Sequence, residues 1–111
     1  MKQVYQPQNE GEELIGTFGA NLWRGFEAVG GRMILTNQRV LFEAHNFNVQ
    51  TAPVAIQLSA IDTVAPSLTL GIIPNGLTIH SAGKEYKFVV SGRARIIAKL
   101  QECGVRVGNQ R

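Results

Sequence analysis

The stretch from Gly30 to His45, GGRMILTNQRVLFEAH, constrains the fold more than any other part of the chain. Two short runs rich in apolar residues flank Asn37-Gln38, a polar pair suited to a tight reversal. That pattern predicts a β-hairpin. Gly30-Gly31 at its start reads as backbone freedom at the head of a strand, since no P-loop or Gly-x-Gly-x-x-Gly spacing accompanies it.

The flanking sequence extends the sheet on both sides. Leu14, Gly16, Phe18, Ala20 and Leu22 alternate with other residues, as in a long first strand with one buried face. Gly16 and Gly19 let that strand bend. After the hairpin, Asn46 to Ala52 reads as a polar loop, and Val54, Ile56 and Leu58 as a fourth strand. Pro66 interrupts the next segment and cannot donate to a ladder. A short fifth strand is therefore expected at Ile61 to Ala65, then a loop ending at the turn signal Pro74-Asn75-Gly76. Leu77 and Ile79 mark a sixth strand. Ala82-Gly83 turns the chain, and Tyr86, Phe88 and Val90 share one face of a seventh.

A helix follows, with Ser91 as its N-cap and Gly104 as its stop. Ile96, Ile97, Leu100 and Cys103 form its apolar stripe, and Arg95, Lys99 and Glu102 its outer face. Seven short strands and one amphipathic helix make a mainly β fold with a single C-terminal α-helix, a curved antiparallel sheet plugged by that helix. Residues 1–11 read as a flexible leader, 12–104 as one domain and 105–111 as a short basic tail.

Composition excludes several classes. The chain has 111 residues, 44% apolar and 17% charged, which describes one globular domain rather than a disordered segment. No apolar run approaches the ~20 residues of a membrane span. The first ten residues lack the apolar region of a secretory signal. The single cysteine, Cys103, forms no internal disulfide and fits a cytoplasmic setting. Net charge is +3 and unevenly spread. From Lys84 onward, Lys84, Lys87, Arg93, Arg95, Lys99, Arg106 and Arg111 face only Glu85 and Glu102. The first 31 residues instead set Glu10, Glu12, Glu13 and Glu27 against Lys2 and Arg24. A basic end favours an anionic partner, although solubility alone also accounts for such asymmetry.

The hairpin's wording, Gly31-x-Met33-x-Leu35-Thr36-Asn37-x-Arg39-x-x-Phe42, resembles the second and third strands of GRAM domains, which are pleckstrin-homology-like modules. Pro74-Asn75-Gly76-Leu77 and Phe88-Val89-Val90-Ser91-Gly92-Arg93 add to the resemblance, which covers about residues 10 to 103. The chain is especially similar to a short, stand-alone bacterial type, with Ala28-Val29-Gly30-Gly31 before the hairpin and His45-x-Phe47-Asn48-x-Gln50 after it. Many GRAM domains place an acid after the helix-entrance arginine; here Ala94 stands there. The resemblance implies a pleckstrin-homology-like barrel of about seven antiparallel strands capped by a helix. It also implies a binding module, since related modules bind phosphoinositides, other acidic lipids, peptides or proteins.

Catalytic and metal chemistry find little support. His45 and His80 lie in no nucleophile motif, and Cys103 falls on the helix's packing stripe. Glu12 and Glu13 adjoin in the leader and read as a solvated turn. One cysteine and two distant histidines make no usual zinc set. Cofactors are not expected. His80, opposite Leu77 and Ile79, reads as a surface residue.

Three places carry candidate binding chemistry. Trp23-Arg24, in a loop from Asn21 to Gly25, pairs an aromatic with a cation, as suits a lipid interface; Trp23 and Phe26 also serve simply to cap the barrel. In pleckstrin-like domains this first interstrand loop often faces the membrane, and Arg32 flanks it. Arg93 and Arg95 stand in the helix's first turn, where cations are unfavourable and an anion is held well. Alternatively Arg93 pairs with an acid such as Glu43 or lays its stem on the sheet. His45, Phe47, Asn48 and Gln50 form a further loop able to hold a polar ligand, or to cap their own backbone.

The reading is a non-catalytic, cytoplasmic module at or near the inner face of the membrane. It associates weakly with an anionic phospholipid surface or with a partner protein. Trp23, Arg24, Arg32, Arg93 and Arg95 supply the contacts. The alternative is an oligomerisation or adaptor protein that binds a partner through a sheet edge. Nucleic acid is disfavoured, because the basic residues lack interleaved stacking aromatics.

Overall fold

Alternation along each strand decides what goes inside. Ala20 and Leu22, Met33 and Leu35, Val40 and Phe42, Leu77 and Ile79, Phe88 and Val90 stand two apart and share one buried cluster. The computed structural model describes residues 8–45 and 53–109, so the expected loop at 46–52 lies outside the described residues. Seven strands form one antiparallel sheet: β1 (Leu14–Arg24), β2 (Glu27–Thr36), β3 (Arg39–Ala44), β4 (Val54–Gln57), β5 (Ile61–Thr69), β6 (Ile73–Ser81) and β7 (Lys84–Val90). A short 3-10 turn at Leu58–Ala60 joins β4 to β5, and helix α1 (Arg93–Glu102) follows β7.

The strand order is β4-β3-β2-β1-β7-β6-β5. β1 is the seam: it pairs with β2 along its length and with β7 through Ala20 to Leu22. β4 and β5 are neighbours in sequence yet form opposite edges of the sheet, with no ladder between them. The expected barrel is therefore a curled sheet that does not close. Helix α1 plugs it with Ile96 and Leu100, both fully buried. Phe42 and Phe88 meet at 6.0 Å between ring centroids. Each such buried side chain stabilises the fold by roughly 1.5–3 kcal/mol.

The hairpin between β2 and β3 turns at Asn37-Gln38, as its sequence predicts, with Leu35 opposite Val40. Its polar residues hold the segment before β1. Asn37 Oδ1 accepts the Glu13 N–H at 2.8 Å, and its Nδ2 donates to the Gly11 carbonyl at 3.0 Å. Gln38 Nε2 donates to the Glu10 carbonyl at 2.9 Å. Glu12 departs from the solvated turn expected of it, because its side chain is fully buried. Its Oε2 accepts from Arg39 Nε at 2.7 Å and from Thr36 Oγ1 at 2.8 Å. Its Oε1 accepts from Arg39 Nη2 at 3.1 Å, Gln8 N–H at 3.0 Å and Asn9 N–H at 3.2 Å. These bonds, the Arg39 guanidinium first, outweigh burial and hold the Glu12 carboxyl at about 2 against an ordinary 4.5. Gly31 is required by close approach: a Cβ there would stand 2.1 Å from the Glu43 carbonyl oxygen of β3.

Several boundaries differ from the sequence expectation, and Leu58, expected in the fourth strand, lies in the 3-10 turn. β5 runs through Pro66 to Thr69, and β6 begins at Ile73, so Pro74-Asn75-Gly76 lies within a strand. The reversal is at Leu70 and Gly71, both with positive φ. Pro66 is tolerated because β5 is an edge strand. Val64 turns its N–H and C=O outward to Arg106 and Gly108, so Pro66, two residues on, places its missing donor on that same outer edge. Val105 is buried and Val107 bridges Val64 in parallel, so the chain after Gly104 packs along β5. Helix α1 takes Gly92 rather than Ser91 as its N-cap, since φ +79 there turns the chain out of β7. The Ser91 N–H bonds the Gly19 carbonyl instead.

Candidate functional site

Leu22 is inside, so Trp23 must point out. The same parity puts Thr78, Glu85 and Lys87 on the outer face, with Thr78 opposite Lys87 across β6 and β7. Pairing of Leu22 with Phe88 then sets the end of β1 beside them. The result is a cleft of about 500 Å3 between the β1–β2 turn and the end of β5. Trp23 and Gly25 line one side, Ser67 to Leu70 the other, and Gly76, Thr78, Glu85 and Lys87 the floor between.

The expected loop from Asn21 to Gly25 is mostly strand: β1 runs to Arg24, whose Cα pairs with Glu27, and Gly25 turns the chain at φ +64. Trp23 is half-buried against the cleft. Lys87 Nζ lies 3.3 Å from Glu85 Oε1, and the other oxygen of Glu85 is 3.6 Å from His80 Nε2. His80 is thus half-covered rather than simply on the surface. Thr78 Oγ1 bonds Ser67 Oγ at 3.2 Å. The cleft offers an indole face, hydroxyls, an ammonium and one carboxylate.

Of the sequence candidates among the described residues, the structure puts Trp23 and Arg93 at this cleft and Arg24 at the adjoining end of β1, and leaves Arg32, Arg95 and His45 elsewhere. Arg93 does not reach Glu43. Its Nη1 donates to the Ser67 carbonyl at 3.0 Å and the Gly76 carbonyl at 3.3 Å, tying the start of α1 to the cleft wall. Glu43 belongs to Arg32, which meets it at 3.0 Å directly across β2 and β3. Arg32 pairs with Gly19, four positions along β1 from Trp23, or roughly 13 Å away. Arg95 lies over the Phe18 ring, 5.8 Å from its centroid. His45 is exposed and borders a shallow groove of about 400 Å3 with Gly19, Asn21, Gly30 and Ser91. Phe47, Asn48 and Gln50 lie outside the described residues. Among the described residues no group of histidine, cysteine and carboxylate side chains could hold a metal ion.

Sequence reasoning missed Ser67, Thr78 and Lys87, which become neighbours only through register. It also missed the exposed side chains of Phe26, Leu70 and Ile72 on the two turns beside the cleft. An available signal was the run 63–83, which holds no Asp, Glu, Lys or Arg yet extends past its core residues.

The sequence profile of the GRAM domain matches residues 1–102. The chain belongs to this family. No curated protein matches this GRAM domain in sequence. Among solved structures it is similar to the C-terminal domain of an unknown protein from Leishmania infantum, with a TM-score of 0.72, 16% identity and 85% of each chain covered. It is also similar to the Vps36 N-terminal PH domain, with a TM-score of 0.68 and 16% identity over 87% of this chain and 82% of that one. The hSac2 domain from human phosphoinositide phosphatase Sac2 matches with a TM-score of 0.68 and 11% identity, over 94% of this chain and 80% of the other. At these identities the likeness shows a shared pleckstrin-homology-like fold. That fold is consistent with a lipid- or protein-binding module and is typically non-catalytic.

Proposed function

We propose that this GRAM domain is a non-catalytic module that associates weakly with anionic phospholipid surfaces. The observation that carries this reading is the cleft between the β1–β2 turn and the end of β5. There Trp23 and Lys87 line one concavity, and Arg24 follows Trp23 as the last residue of β1, its Cα paired with Glu27. An indole beside cations suits the headgroup layer, where the ring is half-immersed and the cations meet phosphates. Glu85 and Glu27 offset part of the charge, which favours weak association over tight capture of a single headgroup. The attachment is peripheral in this reading; among the described residues no helix is long and apolar enough to cross a membrane.

Co-sedimentation with vesicles of graded phosphatidylserine content tests it. Binding should rise with anionic lipid and weaken with salt, and Trp23 emission should shift. No binding at any composition refutes the proposal.

Addition of a partner strand is the second reading. β5 already carries the segment around Val107 and has Pro66 on its outer edge, which leaves β4, four residues long, as the edge for such a partner. A dimer in sedimentation that dissociates on substitution within β4 supports that alternative.

A further inference from the structure

The exposed large apolar side chains are not scattered. Of the five among the described residues, Phe26, Leu70 and Ile72 sit on the two turns that flank the cleft and Ile73 opens β6 directly after one of them; Leu14 is elsewhere. Phe26 is fully exposed, and Leu70 and Ile72 are 79% and 77% exposed. Gly25 on one side and Leu70 on the other line the same concavity, so both turns stand at one end of the sheet.

We propose that these two turns are a bipartite wedge that enters the acyl-chain boundary of a bilayer. This rests on the membrane reading above and adds the mode of attachment. Charge is arranged for it. Residues 63–83 hold no acidic or basic side chain other than His80, and Lys87 lines the cleft between the two turns. The backbone is prepared as well. The Gly71 N–H bonds the Leu68 carbonyl at 3.4 Å, the Ile72 N–H bonds the Thr69 carbonyl at 3.1 Å, and Pro74 has no N–H to satisfy. With these two donors used internally, the turn brings fewer unmet polar groups into an apolar phase. Shape favours lipid over protein: two separate convex tips need matched pockets on a rigid partner, whereas acyl chains yield around them.

The test uses Ile72→Trp in a Trp23→Phe background, with phosphatidylserine-containing vesicles whose lipids are brominated on their acyl chains. Insertion predicts strong quenching of the new indole and a blue shift. In parallel, Leu70→Ser/Ile72→Ser should bind the same vesicles at least about tenfold more weakly. Its thermal midpoint should match the parent, because both side chains lie outside the core. If the parent binds but the indole is unquenched and the Ser variant binds normally, the wedge is wrong and surface association stands. If the parent binds no vesicle, both proposals fall. If the tips instead mediate a dimer that the Ser substitutions dissolve, with no quenching by lipid, the occupant is a second copy and the wedge is overturned.

Discussion

Glu12→Gln removes one charge from the network that fixes residues 8–13 to the β2–β3 hairpin. Every group around that carboxylate is a donor: Arg39 Nε and Nη2, Thr36 Oγ1, and the N–H groups of Gln8 and Asn9. An amide presents one acceptor and one NH2, so its NH2 must face donors. Breaking a buried ion pair from one side destabilises by about 3–5 kcal/mol. Arg39 keeps 13% of its side-chain exposure, which places the expected loss near the lower end, about 3 kcal/mol. The carboxyl's displacement from 4.5 to about 2 gives a comparable ceiling of about 3 kcal/mol. The sign follows from that direction. The folded protein binds fewer protons than the unfolded chain, so this stabilisation is complete above the ordinary carboxyl value. It is lost as pH falls from 4.5 towards 2. Urea unfolding at neutral pH should show the midpoint lowered by about 1–2 M, and the variant should lack the acid-dependent component. A loss below about 0.5 kcal/mol with an unchanged acid profile would mean that the Glu12 carboxylate does not hold this segment. Glu13→Gln is the control, since Glu13 is exposed and its hydrogen bonds to Asn37 run through its backbone N–H and carbonyl.

Three other substitutions probe separate links. Gly31→Ala forces β2 away from β3 and should cost about 2–3 kcal/mol in urea unfolding. Gly25→Ala, at φ +64 with open space around it, should cost only the backbone term of about 1–2 kcal/mol in the same assay. Arg93→Leu removes the donor shared by the Ser67 and Gly76 carbonyls and should lower stability by about 2–3 kcal/mol, with faster amide exchange in β5 beside the cleft.

The fold was legible where a residue's neighbours are close in sequence. Alternation in Tyr86, Phe88 and Val90, and the helical stripe of Ile96 and Leu100, needed no tertiary information. The hairpin residues Thr36, Asn37 and Arg39 were legible as a motif but not as a device. Glu12, more than twenty positions away, is the partner of Thr36 and Arg39, while Asn37 holds the backbones of Gly11 and Glu13, and nothing local separates Glu12 from Glu13. Pro66 misled because a proline's tolerance depends on whether its strand is an edge, a property of the whole sheet. The candidate binding end was half legible. Trp23-Arg24 stood out as an aromatic beside a cation, whereas Lys87 and Leu70 join it only through the register of β7 and β6. Arg32 drew attention for its charge, but its direct cross-strand partner Glu43 could be recognised only once that register was known.

If the end of the sheet bearing the cleft is the face this GRAM domain presents to an anionic bilayer, amide hydrogen exchange measured with and without phosphatidylserine vesicles will show protection concentrated in residues 23–27 and 68–73. Protection concentrated instead at β4, or none anywhere under conditions where the vesicles bind protein, would contradict it.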